Sequence, residues 1–355
     1  MRRDFERTIL VTGGAGFIGT NFIEGLARRR PRLRIIDLDA LTYAAHPESF
    51  ERQRAMDNVI PVQGDICDAA LAADLLARYE VTGVIHFAAE SHVDNSIADP
   101  VKFVRTNVSG TAALLEAAYR CWLKAGCLQT ARFHHISTDE VFGSLGAEGL
   151  FTEDSPYAPT SPYSASKAAA DLLVAAYIKT FGLNATISHA SNNFGPWQHD
   201  EKFIPTVIRR CLAREAIPLY GTGENVRDWI WVEDHCRAVE TIFFEAAPAS
   251  RYIVSAENER TNLQIARSIC RIFDELRPWP GHRHEELIAH VADRPGHDFR
   301  YASCSGRLRR TLGWRPTGSF EERLRETVAW YVSRRGAALP ASGPQTDPAH
   351  SKNGR

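Results

Sequence analysis

The sequence of 355 residues has no cysteine pair at metal-binding spacing, no marked excess of either charge and no long apolar run. Its seven cysteines are odd in number and scattered, which favours reduced thiols in a cytoplasmic protein over a disulfide framework or a zinc site. Because 42 basic and 43 acidic residues nearly cancel, charge gives no reason to expect nucleic acid or an anionic membrane as a partner. No segment approaches the length of a membrane span, and the first residues, "MRRDFERTILVTGG", resemble neither a signal peptide nor an anchor.

The first half of the sequence alternates short apolar, β-branched runs with amphipathic helical stretches. The runs predict strands at 8–12, 33–37, 59–64, 83–87, 132–137 and 184–189. The stretches between them predict helices, among them 18–30, 69–78, 101–125 and 164–181. Alternation at this spacing is typical of a parallel sheet covered by helices on both faces. We therefore predict an α/β protein with a Rossmann-type, doubly wound parallel sheet.

The composition changes after residue 190, where Pro and Gly become frequent. We predict a nucleotide-binding domain over 1–190, to which 226–256 returns. A smaller, mixed α/β substrate-binding lobe is predicted over 191–225 and 257–333, with helices near 205–214 and 263–276. The small, polar, Pro-containing segment 334–355 predicts a disordered tail.

A glycine-rich turn joins the first predicted strand to the first predicted helix. In "TILVTGGAGFIG", Gly13, Gly16 and Gly19 permit a tight turn and let the backbone approach a pyrophosphate at the helix N-terminus. The second strand ends in "IIDLDALTYA", where a carboxylate would accept hydrogen bonds from the adenosine ribose and repel a 2′-phosphate. This predicts NAD as cofactor, and position alone does not choose between Asp37 and Asp39 for the ribose.

Two groups of polar residues predict the chemistry. In "SPYSASKAAAD", Tyr163 and Lys167 are four residues apart and share one face of a helix, so an ammonium and an oxidised nicotinamide could make the phenol a base. In "STDEVFG", Thr138, Asp139 and Glu140 follow a predicted strand whose carboxyl end should face the ligand crevice. A purely redox enzyme needs no such carboxylate pair, so the pair predicts an acid and a base for a further proton transfer.

From about residue 8 to 333 the sequence resembles the extended short-chain dehydrogenase/reductase family and, within it, the nucleotide-sugar 4,6-dehydratases. The resemblance rests on "TGGAGFIG", "DALTYA", "GDI", "HFAAESHVDNSI", "TNVSGT", "STDEVFG", "SPYSASKAAAD", "SNNFGPWQHDEKFIP", "IPLYGTGENVRDWIWVEDHCRA" and "DRPGHDFRYA". The Thr-Asp-Glu triplet separates these dehydratases from the related 4-epimerases.

The resemblance implies a reaction in three stages on a nucleotide-activated glucose, with dTDP-glucose as the expected substrate. Tyr163, assisted by Lys167 and Thr138, takes the proton of the sugar O4 hydroxyl while C4 is oxidised by NAD. Glu140 then removes the C5 proton, and a protonated Asp139 releases the C6 hydroxyl as water. Return of the hydride to C6 regenerates the cofactor, which should stay tightly bound.

The resemblance also implies binding residues, and it favours Asp39 over Asp37 for the ribose. The implied NAD contacts are Gly13, Gly16, Phe17, Ile18, Gly19, Asp39, Leu41, Thr42, Asp65, Ile66, Ala88, Ala89, Ser91, Thr106, Tyr163, Lys167 and Asn193. The implied substrate contacts are Ser91, Thr138, Asn192, Lys202, Phe203, Pro218, Tyr220, Arg227, Asn262, Arg294 and His297. Family members commonly form homodimers through two long helices per subunit, here roughly 101–125 and 164–181.

Three departures from the family pattern leave the nucleotide base open. Asn95 stands where the dTDP-glucose enzymes usually carry arginine, as in UDP-glucose 4,6-dehydratases, whereas Glu90 favours the dTDP type. Phe142 and Trp197 replace the more usual tyrosines. The alternatives are therefore a UDP-glucose 4,6-dehydratase, a nucleotide-sugar 4-epimerase, and a non-catalytic NAD-sensing scaffold. An intact catalytic set argues against the scaffold.

Overall fold

A seven-stranded, entirely parallel sheet forms the centre of the computed structural model, which describes residues 5–293 and 297–335. Its strands are β1 (Arg7–Thr12), β2 (Leu33–Asp39), β3 (Val59–Gln63), β4 (Gly83–His86), β5 (Arg132–Thr138), β6 (Ala185–Ala190) and β10 (Arg251–Val254). They lie in the order β3-β2-β1-β4-β5-β6-β10 and alternate along the chain with helices. The predicted Rossmann-type, doubly wound α/β fold is confirmed.

Helices cover both faces of this sheet, as buried parallel strands require. They are α1 (Phe17–Arg29), α2 (Pro47–Arg54), α3 (Ala69–Arg78), α4 (Val93–Ala98), α5 (Pro100–Phe103), α6 (Thr111–Lys124), α7 (Pro162–Phe181) and α9 (Val232–Glu245). On one face, Leu75 of α3, Trp122 of α6 and Val174 of α7 enter one buried apolar cluster. On the other face, Phe22 of α1 and Phe243 of α9 enter a second.

The helix predicted over 101–125 is confirmed as an unbroken helical stretch, but a π-helical segment (Val104–Gly110), which was not predicted, lies between α5 and α6. The wider turn places Asn107 under the loop that follows β4. There its side chain bonds the amide and carbonyl of Glu90 at 2.8 and 3.0 Å and Ser166 Oγ of α7 at 2.8 Å. The polar helices α2 and α4 were not predicted.

A smaller group of elements follows β6. It comprises β7 (Asn192–Phe194), α8 (Phe203–Ala213), β8 (Ile217–Tyr220), β9 (Val226–Trp231), β11 (Glu259–Thr261), α10 (Asn262–Leu276), a 3₁₀ turn (His284–Leu287), β12 (Ile288–Val291), α11 (Gly306–Leu312) and α12 (Phe320–Arg335). Strands β11, β9 and β7 form one small sheet, and β12 pairs with β8. Helix α9 and strand β10 instead pack on the large sheet, whereas β9 lies in the small one. The exact lobe boundaries stay predictions, and the segment 336–355 of the predicted tail lies outside the described residues.

No helix within 5–293 and 297–335 combines the length and apolar character needed to cross a bilayer.

All seven cysteines are free thiols. This agrees with the thiol state expected from their odd number and spacing.

Candidate active site

The predicted catalytic and cofactor residues gather at one edge of the large sheet. Except for Thr106 and Asn193, they lie at or just beyond the carboxyl ends of its strands, or at the start of a helix that packs there. The cofactor candidates are Gly13, Gly16, Phe17, Ile18 and Gly19 after β1; Asp39, Leu41 and Thr42 at the end of β2; Asp65 and Ile66 after β3; Ala88, Ala89 and Ser91 after β4; Thr106 in the π-helical segment; Tyr163 and Lys167 in α7; and Asn193 in β7. Ligands of open α/β sheets bind at this edge.

The glycine-rich turn has a geometry that only glycine permits. Gly13 has φ +75°, and a Cβ added to it would lie 2.7 Å from the Ala88 nitrogen. A Cβ on Gly19 would lie 2.1 Å from the Gly13 oxygen. Helix α1 starts directly afterwards with Gly16 as its N-cap, so no side chain occupies the first amides of the helix. This open, positively polarised helix end fits a pyrophosphate.

The structure gives the two competing aspartates different surroundings. Asp37 is fully buried beneath the turn and accepts a hydrogen bond from the Gly14 amide at 3.0 Å. Burial, and then the charge of Asp39, raises the pKa of Asp37 well above its ordinary value. Asp39 lies at the end of β2 and accepts from the amides of Ala15 at 2.9 Å and Leu41 at 2.8 Å. Asp37 therefore supports the turn, and Asp39 stays the predicted ribose ligand.

The Thr-Asp-Glu triplet lies where β5 becomes a 3₁₀ turn. Thr138 ends the strand, and its Oγ1 accepts a hydrogen bond from the Glu140 amide at 3.3 Å. The turn covers Asp139–Phe142 and ends at Gly143, whose φ of +87° reverses the chain. The strand end thus presents both carboxylates at the ligand-binding edge, as the sequence predicted.

Asp139 and Glu140 differ in their exposure. Asp139 is only 1% exposed, and its Oδ2 accepts a hydrogen bond from Ser303 Oγ at 3.2 Å. Burial, followed by the charges of Glu140 and Asp228, raises the pKa of Asp139 well above its ordinary value. Glu140 is partly exposed. A protonated acid beside a more accessible carboxylate is the arrangement that acid–base elimination needs. Sequence reasoning missed Ser303 and Asp228, because only the fold brings them to the triplet.

Replacing Asp139 by Asn should stabilise the protein at neutral pH. In the unfolded chain Asp139 ionises near pH 4, whereas burial raises its pKa in the fold, so between the two pKa values the folded state holds a proton that the unfolded state has released. The isosteric amide avoids this cost, which is about 1.4 kcal/mol for each pH unit that the shift spans. Urea unfolding should therefore show equal stability of the two proteins near pH 4 and a growing advantage of Asp139→Asn at higher pH. A constant difference across pH would mean that Asp139 is ionised in the fold.

Tyr163 and Lys167 project from the first turns of α7. Ser161 and Ser164 form a capping box at its start, and Pro162 occupies the first helical position. Both functional side chains are buried. Lys167 Nζ donates to the Ile136 carbonyl of β5 at 2.7 Å. Burial lowers the pKa of this lysine to about 8, against the opposing charge of Asp171.

The surroundings of Tyr163 favour the protonated phenol. Burial, and then the charge of Glu140, raises the pKa of Tyr163 far above its ordinary value, whereas a hydrogen bond with Thr138 lowers it. The amino group of Lys167 bonds the backbone of β5 instead of the phenol. A positive charge close to the phenol would lower this pKa and make Tyr163 a stronger candidate for the base.

The predicted substrate residues occupy several elements of the smaller group. Asn192 lies in β7, Pro218 and Tyr220 in β8, and Arg227 in β9, while Lys202 and Phe203 lie at the start of α8, and Asn262 begins α10. His297 lies near Tyr220, with ring centroids 6.4 Å apart. Arg294 lies outside the described residues.

Two of the predicted phosphate-binding cations are held in place by other parts of the chain. The Arg227 guanidinium lies 4.4 Å from the Tyr301 ring centre and donates to the Asp298 carbonyl at 3.0 Å. Lys202 Nζ donates to the Ser91 carbonyl at 2.9 Å, which links α8 to the loop after β4. Arg227 also has an electrostatic influence on Asp139, so the small sheet lies beside the triplet.

Comparison with known proteins identifies the family. The family described as "GDP-mannose 4,6 dehydratase" matches residues 10–327. The dTDP-glucose 4,6-dehydratase of Xanthomonas campestris pv. campestris strain B100 is 47% identical over 330 residues, which cover 92% of this chain and 93% of that protein. The chain belongs to the nucleotide-sugar 4,6-dehydratases. The dTDP-glucose 4,6-dehydratase 1 of Escherichia coli K12 is 44% identical over 336 residues, with 92% of each chain covered.

A solved structure of another protein has the same fold as this chain. The dTDP-glucose 4,6-dehydratase DesIV of Streptomyces venezuelae, solved with NAD bound, superposes with a TM-score of 0.83. It is 42% identical to this dehydratase chain, and the match covers 93% of this chain and 98% of DesIV. The predicted family and fold are therefore both confirmed.

Proposed function

We propose that this chain is a hydro-lyase, an NAD-dependent 4,6-dehydratase that converts dTDP-glucose to the 4-keto-6-deoxy sugar nucleotide. The observation that carries the proposal is the triplet at the end of β5. There a buried Asp139 with a raised pKa lies beside the more exposed Glu140, at the same edge as Tyr163 and Lys167. The dTDP-glucose 4,6-dehydratases among the relatives support the substrate.

The glycine-rich turn, the open end of α1 and Asp39 would hold NAD. When bound, NAD accepts a hydride from the sugar and returns it within the same turnover. An oxidised nicotinamide beside Tyr163 would lower the pKa of the phenol.

The chain's own residues supply the proton transfers. Tyr163 accepts the proton of the O4 hydroxyl as C4 becomes a ketone, and Thr138 stabilises the phenolate by its hydrogen bond. The ketone acidifies the C5–H bond, and Glu140 accepts that proton. The C5 electron pair then forms the C5–C6 double bond as the C6–O bond breaks. Asp139 gives its proton to the departing hydroxyl, which leaves as water.

The substrate is tested by offering the purified protein equal amounts of dTDP-glucose and UDP-glucose without added reductant. Loss of one water from dTDP-glucose should be faster by about tenfold or more, because thymine carries a methyl group that uracil lacks. Mass spectrometry of both nucleotides gives the two rates. An equal or faster loss of water from UDP-glucose would assign the uridine substrate. An unchanged mass with a new stereoisomer would mean a 4-epimerase, and no change in either nucleotide would contradict the proposed function.

We also propose that two copies pair through α4, α5, the π-helical segment and α7. These neighbouring elements expose large apolar side chains, with Val101 73%, Leu172 56%, Ile97 55% and Val104 52% exposed. An apolar surface of this kind is typical of an interface between subunits. The seven free thiols support a cytoplasmic location for this dimer.

Replacing Leu172 by Glu should break the dimer. Because of the twofold symmetry, each subunit would place an unpaired, buried charge in the interface. The dissociation constant of the dimer should therefore rise about a hundredfold. Sedimentation velocity measures this shift. The control is Leu276→Glu, because Leu276 is 40% exposed at the end of α10 in the smaller group of elements. A Leu172→Glu protein that stays as dimeric as the control would contradict this interface.

A further inference from the structure

A buried carboxylate lies one helical turn beyond Lys167. Asp171 of α7 is fully buried and shares a helix face with Tyr163 and Lys167, because the three residues are spaced four apart. Its Oδ2 accepts hydrogen bonds from Ser137 Oγ at 2.8 Å and His189 Nε2 at 3.0 Å, and its Oδ1 lies 3.3 Å from His135 Nε2. A single carboxylate therefore joins α7 to both β5 and β6.

The three partners lie together on the strands that lead to the triplet. Ser137 directly precedes Thr138 and is paired with His189 on the neighbouring strand. His135 lies two residues earlier and therefore faces the same side of β5. A shift of Asp171 would thus move the helix that carries Tyr163 relative to the strand that ends in Thr138.

Asp171 and Lys167 are two buried groups of opposite charge on the same face of α7. Burial, followed by the charge of Lys167, lowers the pKa of His135 to about 4, so this ring is neutral near pH 7 and lies 3.3 Å from Asp171 Oδ1 without forming a hydrogen bond to it. The contacts with both histidines keep the pKa of Asp171 below its ordinary value. Asp171 is also the group whose charge favours the ammonium form of Lys167. The other titratable groups facing this cluster are His86 on β4, next to His135, and Tyr157 from the loop before α7.

The cluster formed by Asp171, His135 and His189 is costly to bury. Both ring nitrogens of His135, together with His189 Nδ1 and Asp171 Oδ1, have no hydrogen-bond partner in the described part of the chain. Each buried, unsatisfied nitrogen costs stability, and an apolar core would avoid that cost. The arrangement is therefore better explained by what it does for α7 than by what it adds to the free energy of folding.

We propose that Asp171 is a positioning residue for the Tyr163–Lys167 pair. Its carboxylate ties α7 to β5 and β6 beneath the active site and is the buried counter-ion of Lys167. Loss of the negative charge leaves the lysine without its partner, and loss of the hydrogen bonds releases α7 from the strands. The inference rests on the roles proposed above for Tyr163 and Lys167.

The first test isolates the step that needs only this pair. In a Glu140→Gln background, in which elimination is blocked, the reduced nicotinamide formed on mixing with dTDP-glucose is followed across pH. Lys167 must stay charged for this step, so its deprotonation sets the alkaline limb of the rate. Adding Asp171→Asn should shift the alkaline limb to a lower pH by about one unit or more, because the carboxylate stabilises the ammonium form of Lys167. The rate near pH 7 should fall about tenfold, with little change in the substrate concentration for half-maximal rate.

Matched variants separate charge from structure. Ser137→Ala removes one hydrogen bond to the same carboxylate but keeps the charge, and it should leave the alkaline limb in place. Asp171→Glu should return the limb toward that of the parent. An unmoved limb in a folded Asp171→Asn protein would overturn the proposal. If the Glu140→Gln parent itself forms no reduced nicotinamide, the role assigned to Glu140 has failed instead, and failure of the unaltered protein to dehydrate dTDP-glucose would mean that the proposed function has failed.

The second test needs no substrate. A double-mutant cycle of Asp171→Asn and Lys167→Met is measured by urea unfolding. Each single change leaves one uncompensated buried charge, whereas the double change removes both. The double variant should therefore lose much less stability than the sum of the single losses, and it should fold even if Asp171→Asn does not. Additive losses would overturn the counter-ion role.

Discussion

Glu140→Gln is expected to lower product formation by about a thousandfold while the bound nicotinamide becomes reduced and stays reduced. Oxidation at C4 uses Tyr163 and Lys167, which this change leaves intact. The next step needs a base for the C5 proton, and glutamine cannot accept one. The main chain should be undisturbed, because the link between the triplet's turn and β5 runs from the Glu140 amide to Thr138 Oγ1. Nicotinamide absorbance and mass spectrometry measure the two steps on the same sample.

The matched control is Glu148→Gln, an exposed glutamate eight residues further along the chain. It should react at the rate of the unaltered protein. Normal turnover by Glu140→Gln would contradict the assigned base. Loss of nicotinamide reduction together with product would mean that Glu140 acts before elimination.

Asp139→Asn should lower the loss of water by about a hundredfold to a thousandfold but leave hydrogen exchange at C5. The buried acid has a raised pKa and donates the proton that carries away the C6 hydroxyl. Without that donor, Glu140 can still remove the C5 proton and return one from solvent. In heavy water, substrate recovered from the variant should therefore gain deuterium at C5 while little product forms. Nuclear magnetic resonance of the recovered sugar nucleotide measures this exchange.

Asp154→Asn is the control for that experiment, because Asp154 is exposed and its ion pair with Arg307 lies at the surface. Surface pairs contribute little stability, so this variant should eliminate water normally. An Asp139→Asn protein that neither exchanges at C5 nor forms product would contradict the division of roles between the two carboxylates.

The sequence was sufficient to predict the large sheet because its strands are buried on both faces. Continuous apolar runs located six of the seven strands to within two residues at either end, including β5 and its polar terminus. The π-helical segment inside the helix predicted over 101–125 could not be predicted, for a different reason. The π-helical segment places Asn107 under the Glu90 backbone, and that contact depends on the loop after β4 and on Ser166. Helical periodicity contains no information about such a contact.

The active site could likewise be predicted only in part. Thr138, Asp139 and Glu140 could be predicted because a strand end in a parallel sheet faces the ligand. The surroundings of Asp139 could not, since Ser303 lies 164 positions away along the chain. The spacing of Tyr163, Lys167 and Asp171 indicates that the three residues share one helix face. The contacts of Asp171 with β5 and β6 could not be predicted, because only the fold brings these strands to the helix.

The central claim is that one sugar is oxidised, dehydrated and reduced within a single binding event. The most direct test mixes two forms of dTDP-glucose. One carries deuterium at C4, and the other carries carbon-13 but no deuterium. Mass spectrometry of the products then shows which molecules carry deuterium. Each product is expected to have lost one water, with deuterium at C6 only in molecules that began with it at C4. Deuterium retained at C4 of an inverted sugar, or deuterium exchanged between the two substrate populations, would contradict this claim.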